Sequence, residues 1–388
     1  MTWILNGART PMGKYMGALS HYSAAQLGGF AISGALTNSD IAAHEVDYVI
    51  MGHALQAGTG QMSSRQAALL AGIPMSVPAT TVNKVCLSGI HAIAQAQMLI
   101  ESGQADIVVA GGMESMSQSP LLVTKARTET EQGLQEPQDS MMTDGLLCAI
   151  DHKSMGQSTD EYNERYGLTR QEQDAYALES QNRAIRAQQT GVFAEEIVAV
   201  PNAHGEANVA DDESIRAGSS MERLGQLKPA FLPNGTITAG NASPISDGAA
   251  ALVLISDEKA NDLGRRGLAR VVGHGMVAGP DASLHEQPAH AIERACARIG
   301  VSIQDLGLVE INEAFAAVAL VSQQRLNLSS DILNVNGGAI ALGHPLGMSG
   351  ARLVLHLANQ MNRSDVGLGA AALCGGSGQG EALILSRD

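Results

Sequence analysis

The chain has 388 residues, 45% of them apolar and 16% charged, with a formal net charge of −15, which is room for two or three globular domains. That charge argues against nucleic acid or an anionic membrane as partner but leaves open an anionic small ligand held by a local basic patch. The four cysteines, Cys86, Cys148, Cys296 and Cys374, are far apart and show no CxxC or Cys/His spacing, so neither a metal nor a secreted disulfide scaffold is expected.

The start, Met1–Pro11, has no basic region followed by an apolar one, so no signal peptide is expected. No apolar run reaches the ~20 residues that span a bilayer. The end, Leu385-Ser386-Arg387-Asp388, is not a peroxisomal address, and a cytoplasmic location is the expectation.

The first part of the chain alternates strand and helix. Trp3–Asn6 reads as a strand, Ala24–Leu36 as a helix, Val46–Met51 as a strand and Ser64–Ala71 as a helix. Pro78–Val82 is β-branched and strand-like, and Ile90–Ile100 is Ala-rich and helical. Ala105–Gly112 is a buried strand ending in glycines. Alternation of this kind predicts a mostly parallel sheet covered on both faces.

From about Ser119 to Ala242 the rhythm is lost and polar residues rise. Ser158–Tyr166 and Arg170–Gln189 read as amphipathic helices, the second with Thr169 as N-cap and Glu172 completing a capping box. Such a stretch is an inserted domain or a set of long loops. The βα rhythm returns after Asp247–Ile255 and echoes the first half. Ala269–Gly273 matches the first strand, Asp305–Asn312 matches His44–Met51, Val335-Asn336 matches Val82-Asn83, and Val366–Leu373 matches Asp106–Ala110. An internal duplication is therefore expected, bringing matching strand ends together where ligands of α/β sheets bind.

Cys86 sits where a strand turns into a helix, in Asn83-Lys84-Val85-Cys86-Leu87-Ser88-Gly89. The free N–H groups and dipole of a helix start favour a thiolate there, so the thiol is expected to lose its proton easily. Alone, the window fits equally a buried cysteine acting as a small hydrophobe. Three later stretches offer partners. Asn312-Glu313-Ala314-Phe315 follows a strand, where Asn312 could also simply cap the next helix. His344 stands in the Gly-rich loop Asn336–Gly350 as a candidate base or a structural residue. Cys374 opens the glycine turn Gly375-Gly376-Ser377-Gly378, which supplies backbone donors suited to an oxyanion.

With these residues in view, the chain resembles the thiolases, specifically the biosynthetic acetyl-CoA acetyltransferase type. Asn83–Gly89, Asn241-Ala242-Ser243, Asn312–Phe315, Gly343-His344-Pro345-Leu346-Gly347 and Cys374–Gly380 stand in the family's order and spacing, over essentially the whole chain. The resemblance implies an α/β thiolase fold, five-layered αβαβα, built from two similar halves with an inserted loop domain. The halves are residues 1–118 with 245–268 and residues 269–388; the loop domain is 119–244, with CoA-binding and oligomer contacts.

The resemblance also implies reversible condensation of two acetyl-CoA to acetoacetyl-CoA and CoA, as part of lipid metabolism. Cys86 would carry the acyl group, and His344 would take its proton. Cys374 would act as acid and base at C2 of the second acetyl-CoA. Asn312 would hold a water at the enolate oxygen, and the N–H groups of Cys86 and Gly376 would bind the oxyanion. For CoA it implies Ser243 at the pantetheine, Arg216 at the nucleotide end, and Leu146, Met155, Phe231, Ala242, Ala314 and Phe315 along the walls. Arg216 could equally be a solvated charge, and Leu146 and Phe231 ordinary packing.

No separate cofactor is implied, CoA being substrate and product; the partners are acyl-CoA, CoA and further copies of the chain, as homodimer or homotetramer. The alternative is a degradative thiolase for longer 3-ketoacyl-CoA. A carrier-protein ketosynthase would need histidine at Cys374, and a dead-site relative would have lost a catalytic residue. Five places depart from the biosynthetic pattern: Pro244, Ser154 before Met155, Leu147–Ile150, Leu284–Pro288 and Ser377. They bear on the acyl group accepted, not on the reaction.

Overall fold

The computed structural model describes residues 1–124, 136–202 and 207–388, so parts of the expected loop domain lie outside the described residues. The principal strands are β1 (Thr2–Arg9), β2 (Tyr48–Gly52), β3 (Ala79–Val82), β4 (Ile107–Ser115), β5 (Ser246–Ser256), β6 (Ala269–Ala278), β7 (Leu308–Ile311), β8 (Leu368–Gly375) and β9 (Gln379–Ser386). The principal helices are α1 (Ala24–Ser39), α2 (Ser63–Leu70), α3 (Ser88–Glu101), α4 (Met155–Tyr166), α5 (Arg170–Gln189), α6 (Gln287–Ile299), α7 (Ala316–Leu326) and α8 (Leu346–Ser364).

One ten-stranded sheet runs β7-β8-β9-β6-β1-β5-β4-β2-β3, with the two-residue strand Gly13–Lys14 paired to β5. The duplication is visible in its pairing. In the first half β3/β2 and β2/β4 are parallel, while β4/β5 and β5/β1 are antiparallel. In the second half β7/β8 is parallel and β8/β9 and β9/β6 are antiparallel. The counterpart of β3 has shrunk to a single parallel bridge between Leu333 and Val309, so Val335-Asn336 follows a bridge rather than a strand. The mostly parallel sheet expected from the βα rhythm is thus a mixed one. The last strand of each half returns antiparallel through a hairpin or a long connection, which the rhythm does not reveal.

The halves join where β1 pairs with β6 over three residues, Thr2 to Ile4. The sheet is folded over so that α3 and α8 lie between its halves, α1 and α2 cover one outer face, and α6 and α7 cover the other. The result is the expected α-β-α-β-α layering. β5 is apolar from Gly248 to Ile255 because both its faces are covered there: Leu252 and Leu254 join the central core, Val253 and Ile255 the outer one. The inserted segment packs on the second half. Its helix α5 carries the expected capping box, with Thr169 Oγ1 accepting from Glu172 N at 3.2 Å. Ser180 Oγ and Tyr176 OH on α5 donate to buried Glu313 at 2.6 and 3.0 Å. Among the described residues no helix is long and apolar enough to cross a membrane.

The central helices are packed by backbone contact. A Cβ on Gly89 of α3 would lie 2.7 Å from Gly347 O and 2.8 Å from Ala351 N of α8; one on Gly350 would lie 2.4 Å from Ile90 N. A Cβ on Gly112 of β4 would lie 1.8 Å from Gly347 O. Neither neighbour can retreat, since both are backbone of buried elements. Gly112→Ala is therefore expected to destabilise the chain by about 3 kcal/mol or more, read as a lowered urea midpoint, whereas Gly225→Ala, where a Cβ meets nothing within 4 Å and φ is not left-handed, should cost far less.

Candidate active site

The turn Asn83–Ser88 joins β3 to α3 and is held by its own side chains. Asn83 Oδ1 accepts from Val85 N at 3.0 Å, and Ser88 Oγ accepts from Lys84 N at 2.8 Å and donates to Val85 O at 2.6 Å. Val85 is forced to φ 51°, a left-handed conformation that a β-branched residue rarely adopts. Strain of about 1–3 kcal/mol persists only where the surroundings over-determine it. Here it aims Cys86 into a cavity of about 250 Å³ between the two halves.

Cys374, at the end of β8, and His344, two residues before α8, line the same cavity, and so does Gly376. The backbone N–H groups of Gly376 and of Cys86 itself both reach the Cys86 sulfur. Two donors aimed at one reacting centre are what an oxyanion requires. His344 is oriented by Ser349. The Ser349 hydroxyl donates its single hydrogen to Pro345 O at 2.8 Å, so at 2.6 Å from His344 Nδ1 it can only accept. Nδ1 is therefore protonated, and Nε2 carries the free lone pair of a base.

Asn312 stands behind the ring, its Nδ2 3.5 Å from Nδ1 and 3.4 Å from Nε2, too long and too evenly placed for an in-plane hydrogen bond. Its buried Oδ1 has no protein partner among the described residues.

The charge state differs from the expected one. Burial pushes the Cys86 thiol up to about 12, with nearby Glu114 adding to it, against the opposing pull of the Gly376 and Cys86 N–H groups. Cys374 is pushed well above the usual thiol range by burial and by Cys86 beside it. Burial, with a smaller push from Arg352, takes His344 down to about 4. The helix start does not make a thiolate here, because α3 begins two residues beyond Cys86 and loss of solvent outweighs the backbone donors. At neutral pH both thiols and the imidazole are uncharged.

Of the residues expected at CoA, Ser243, Ala242, Ala314, Phe315, Leu146, Met155 and Phe231 all line the cavity. Ala242 and Phe315 form an isolated antiparallel bridge, and Ser243 Oγ donates to Ala314 O at 3.0 Å, so two separate motifs make one wall. Arg216 is not brought into the cavity; it is exposed, with Nη1 3.4 Å from Ala239 O.

Sequence reasoning missed Ser349 as the partner of His344, although a hydroxyl one turn into the following helix is a usable signal. It also missed Glu114, which is buried and accepts from Ala54 N, Leu55 N and Gly347 N at 2.9–3.1 Å. That carboxylate ties the first half to the helix behind His344. Burial lifts it to about 7 against those three N–H bonds. The walls Met142, Ile245 and Leu346 were not expected as lining, because apolar lining has no sequence signature, whereas Leu284 belongs to the Leu284–Pro288 departure.

The thiolase N-terminal domain model matches residues 2–258 and the thiolase C-terminal domain model residues 265–387. A relative in Mycobacterium tuberculosis described as "Probable acetyl-CoA acetyltransferase" is 52% identical, over 98% of each chain. The Pseudomonas aeruginosa "Acetyl-CoA acetyltransferase" is 45% identical over 99% of each chain. The crystal structure of the Bacillus anthracis acetyl-CoA acetyltransferase superposes with a TM-score of 0.96 at 38% identity, covering 99% of this chain and 98% of that one.

A neutral thiol predicts a distinct pH response. Alkylation of Cys86 by iodoacetamide, followed by mass spectrometry of its peptide, should rise about tenfold per pH unit from pH 6 to 10. A plateau over pH 5–8 would reveal a preformed thiolate–imidazolium pair and contradict the uncharged state of Cys86 and His344.

Proposed function

The chain belongs to the thiolase family, and from that premise we propose that it is an acetyl-CoA acetyltransferase, joining two acetyl-CoA into acetoacetyl-CoA and free CoA, reversibly. The observation that carries this reading is the meeting of two thiols and a proton-accepting imidazole at one cavity, with two backbone N–H groups on the Cys86 sulfur. The acetyltransferase names of relatives matched over 98–99% of the chain support it.

In the forward direction the Cys86 sulfur attacks the carbonyl carbon of acetyl-CoA while its proton passes to His344 Nε2. The carbonyl electrons move to an oxyanion held by the N–H groups of Cys86 and Gly376. They return as the C–S bond to CoA breaks, and the departing thiolate takes the proton. Cys374 passes its own proton to His344 Nε2 and, as thiolate, removes a proton from C2 of a second acetyl-CoA. The enolate oxygen is met by protonated His344 and by the polar group that Asn312 holds. C2 attacks the acetyl carbonyl, the bond to Cys86 breaks, and the Cys86 sulfur recovers its proton from His344. Each thiol ends as it began, and CoA is substrate and product, so no cofactor is consumed.

A buried Cys374 with a high pKa suits proton transfer to and from carbon, since both states are needed only in passing. CoA lies along the wall made by Ala242-Ser243 and Ala314-Phe315, with Leu146, Met155 and Phe231 opposite and Arg216 outside, towards the nucleotide.

The enzyme acts in lipid metabolism in the cytoplasm as a homodimer or homotetramer. The open edge of β3 and the exposed apolar side chains Leu69, Leu70, Met75 and Met98 support self-association.

Thiolysis of acetoacetyl-CoA, followed as loss of enolate absorbance, tests the reading. Wild-type protein should turn over. Cys86→Ala should lose activity by about 10⁴-fold or more. Cys374→Ser should still accept an acetyl group from acetyl-CoA but fail to condense it. A folded wild-type chain inactive on C4 yet active on C6 and longer 3-ketoacyl-CoA would replace this reading with the degradative one.

A further inference from the structure

Next to the nucleophile turn, outside the lining of the cavity, four side chains from four parts of the chain converge. Glu381 points inward from β9 and its side chain is 0% exposed. A carboxylate so placed is costly unless it is fully partnered. Its Oε2 accepts from Lys84 Nζ at 2.7 Å. Its Oε1 takes two imidazoles at once, His91 Nδ1 from α3 at 2.8 Å and His274 Nε2 from β6 at 2.7 Å. Lys84, His91 and His274 are 19%, 20% and 10% exposed, so the cluster opens to solvent on one side. Neither the proposed condensation nor the cavity uses any of these groups.

We propose that His91, His274 and Glu381 form a binding site for a divalent first-row transition metal ion, with zinc the best fit, and that Lys84 is the cation that holds the site when no metal is bound. Two imidazole nitrogens and one carboxylate oxygen are an N₂O donor set of the kind such ions favour, with positions left open for water. The three ligand atoms already lie within 4.8 Å of one another, and among the described residues no other trio of His, Cys, Asp or Glu does so.

An ionised carboxylate only accepts, so each imidazole now turns an N–H towards Oε1. A shift of each ring to its other tautomer exposes a lone pair in its place, and a single dication then does what two hydrogens did. Ligands about 2.0–2.2 Å from zinc lie roughly 3.3–3.5 Å apart. The N–O contacts of 2.7 and 2.8 Å therefore lengthen by about 0.5–0.8 Å, within reach of side-chain torsions.

Three ligands on two strands and a helix are held by the core rather than by a loop. Lys84 is the competitor: a dication beside Glu381 repels the ammonium, which has solvent to move into. Because Lys84 is two residues before Cys86, occupancy of this site is felt at the nucleophile turn. The spacing gave no sign of the site, since Glu381 stands 290 positions from His91 and 107 from His274.

The test uses the full chain, stripped with EDTA and titrated with Zn²⁺ in equilibrium dialysis, and separately with Co²⁺ followed by visible absorption. Circular dichroism checks the fold of each variant. Wild type should bind one zinc lost in His91→Gln and in His274→Asn, each weakened by about a hundredfold or more. The cobalt form should show ligand-field bands without thiolate charge-transfer bands. Lys84→Gln should bind zinc more tightly than wild type, which a purely structural ion-pair cluster does not predict. Zinc stoichiometry unchanged in both histidine variants, a cobalt spectrum made only of thiolate bands, or no binding by wild type at about 100-fold molar excess would each overturn the proposal.

Discussion

Everything at the site depends on two buried helices crossing at backbone contact. α3 and α8 are the corresponding helices of the two halves, and Ser88-Gly89 corresponds to Ser349-Gly350. Their contact is close to symmetric: Gly89 meets Ala351 and Gly350 meets Ile90. A side chain at either glycine would push the helices apart. Cys86 lies two residues before one helix and His344 two residues before the other. The crossing therefore sets the distance between nucleophile and base, and Glu114, accepting from Gly347 N and Ala54 N, locks the same joint from the side. A duplicated fold makes this economical, because equivalent helix starts meet at the pseudo-symmetry axis and each half supplies a different reagent.

The tight joint also sets the electrostatics. Burial leaves both thiols protonated and His344 neutral, in spite of the donors around Cys86. A standing thiolate–imidazolium pair has to repay the desolvation of both charges. Charge arises here only in passing, on an oxyanion in front of donors that are already in place and on Cys374 as it exchanges a proton with carbon. Ser349 belongs to this logic: by fixing the proton on Nδ1 it keeps Nε2 a base without a carboxylate partner on the ring.

The meeting of Cys86, His344 and Cys374 at one cavity was legible in the sequence and their setting was not. Cys86, His344 and Cys374 each stand at a Gly-rich turn at a strand end, and such turns are recognisable because few residue types tolerate them. The two-half plan was legible because β2 and β7 repeat one pattern of acidic turn followed by an apolar strand. Strand direction was not: an apolar run such as Ala250–Ile255 reads the same whether it pairs parallel or antiparallel, and the sheet proved mixed. The lowered thiol pKa failed because sequence shows a helix start but not how much solvent the rest of the fold removes. Ser349, Glu114 and the trio around Glu381 were missed for one reason: their partners are remote in the chain, and only the crossing of α3 and α8 and the β6–β9 pairing bring them together.

The departures from the biosynthetic pattern now have physical places. Pro244 lacks an N–H, but its carbonyl accepts from His344 N at 3.3 Å, so the residue supports the base from behind. Ser154 is the N-cap of α4, accepting from Gln157 N at 3.2 Å, and lines the cavity with its neighbour Met155. Ser377 adopts φ 68° in the turn after Cys374, a conformation in which glycine costs less. His285 does not face the cavity. It stacks on Tyr166 at 4.7 Å, its Nε2 is 2.8 Å from Asn163 Oδ1 and its Nδ1 3.1 Å from Ser283 Oγ. Burial takes it down to about 4, so it is neutral and ties α4 to the start of α6. That leaves Leu284 as the side chain this segment presents to the cavity. Leu284 packs in one cluster with Ala314, Phe315, Met155 and Cys374, so the apolar wall and the second thiol are parts of one packed unit, and a change in the wall is transmitted directly to Cys374.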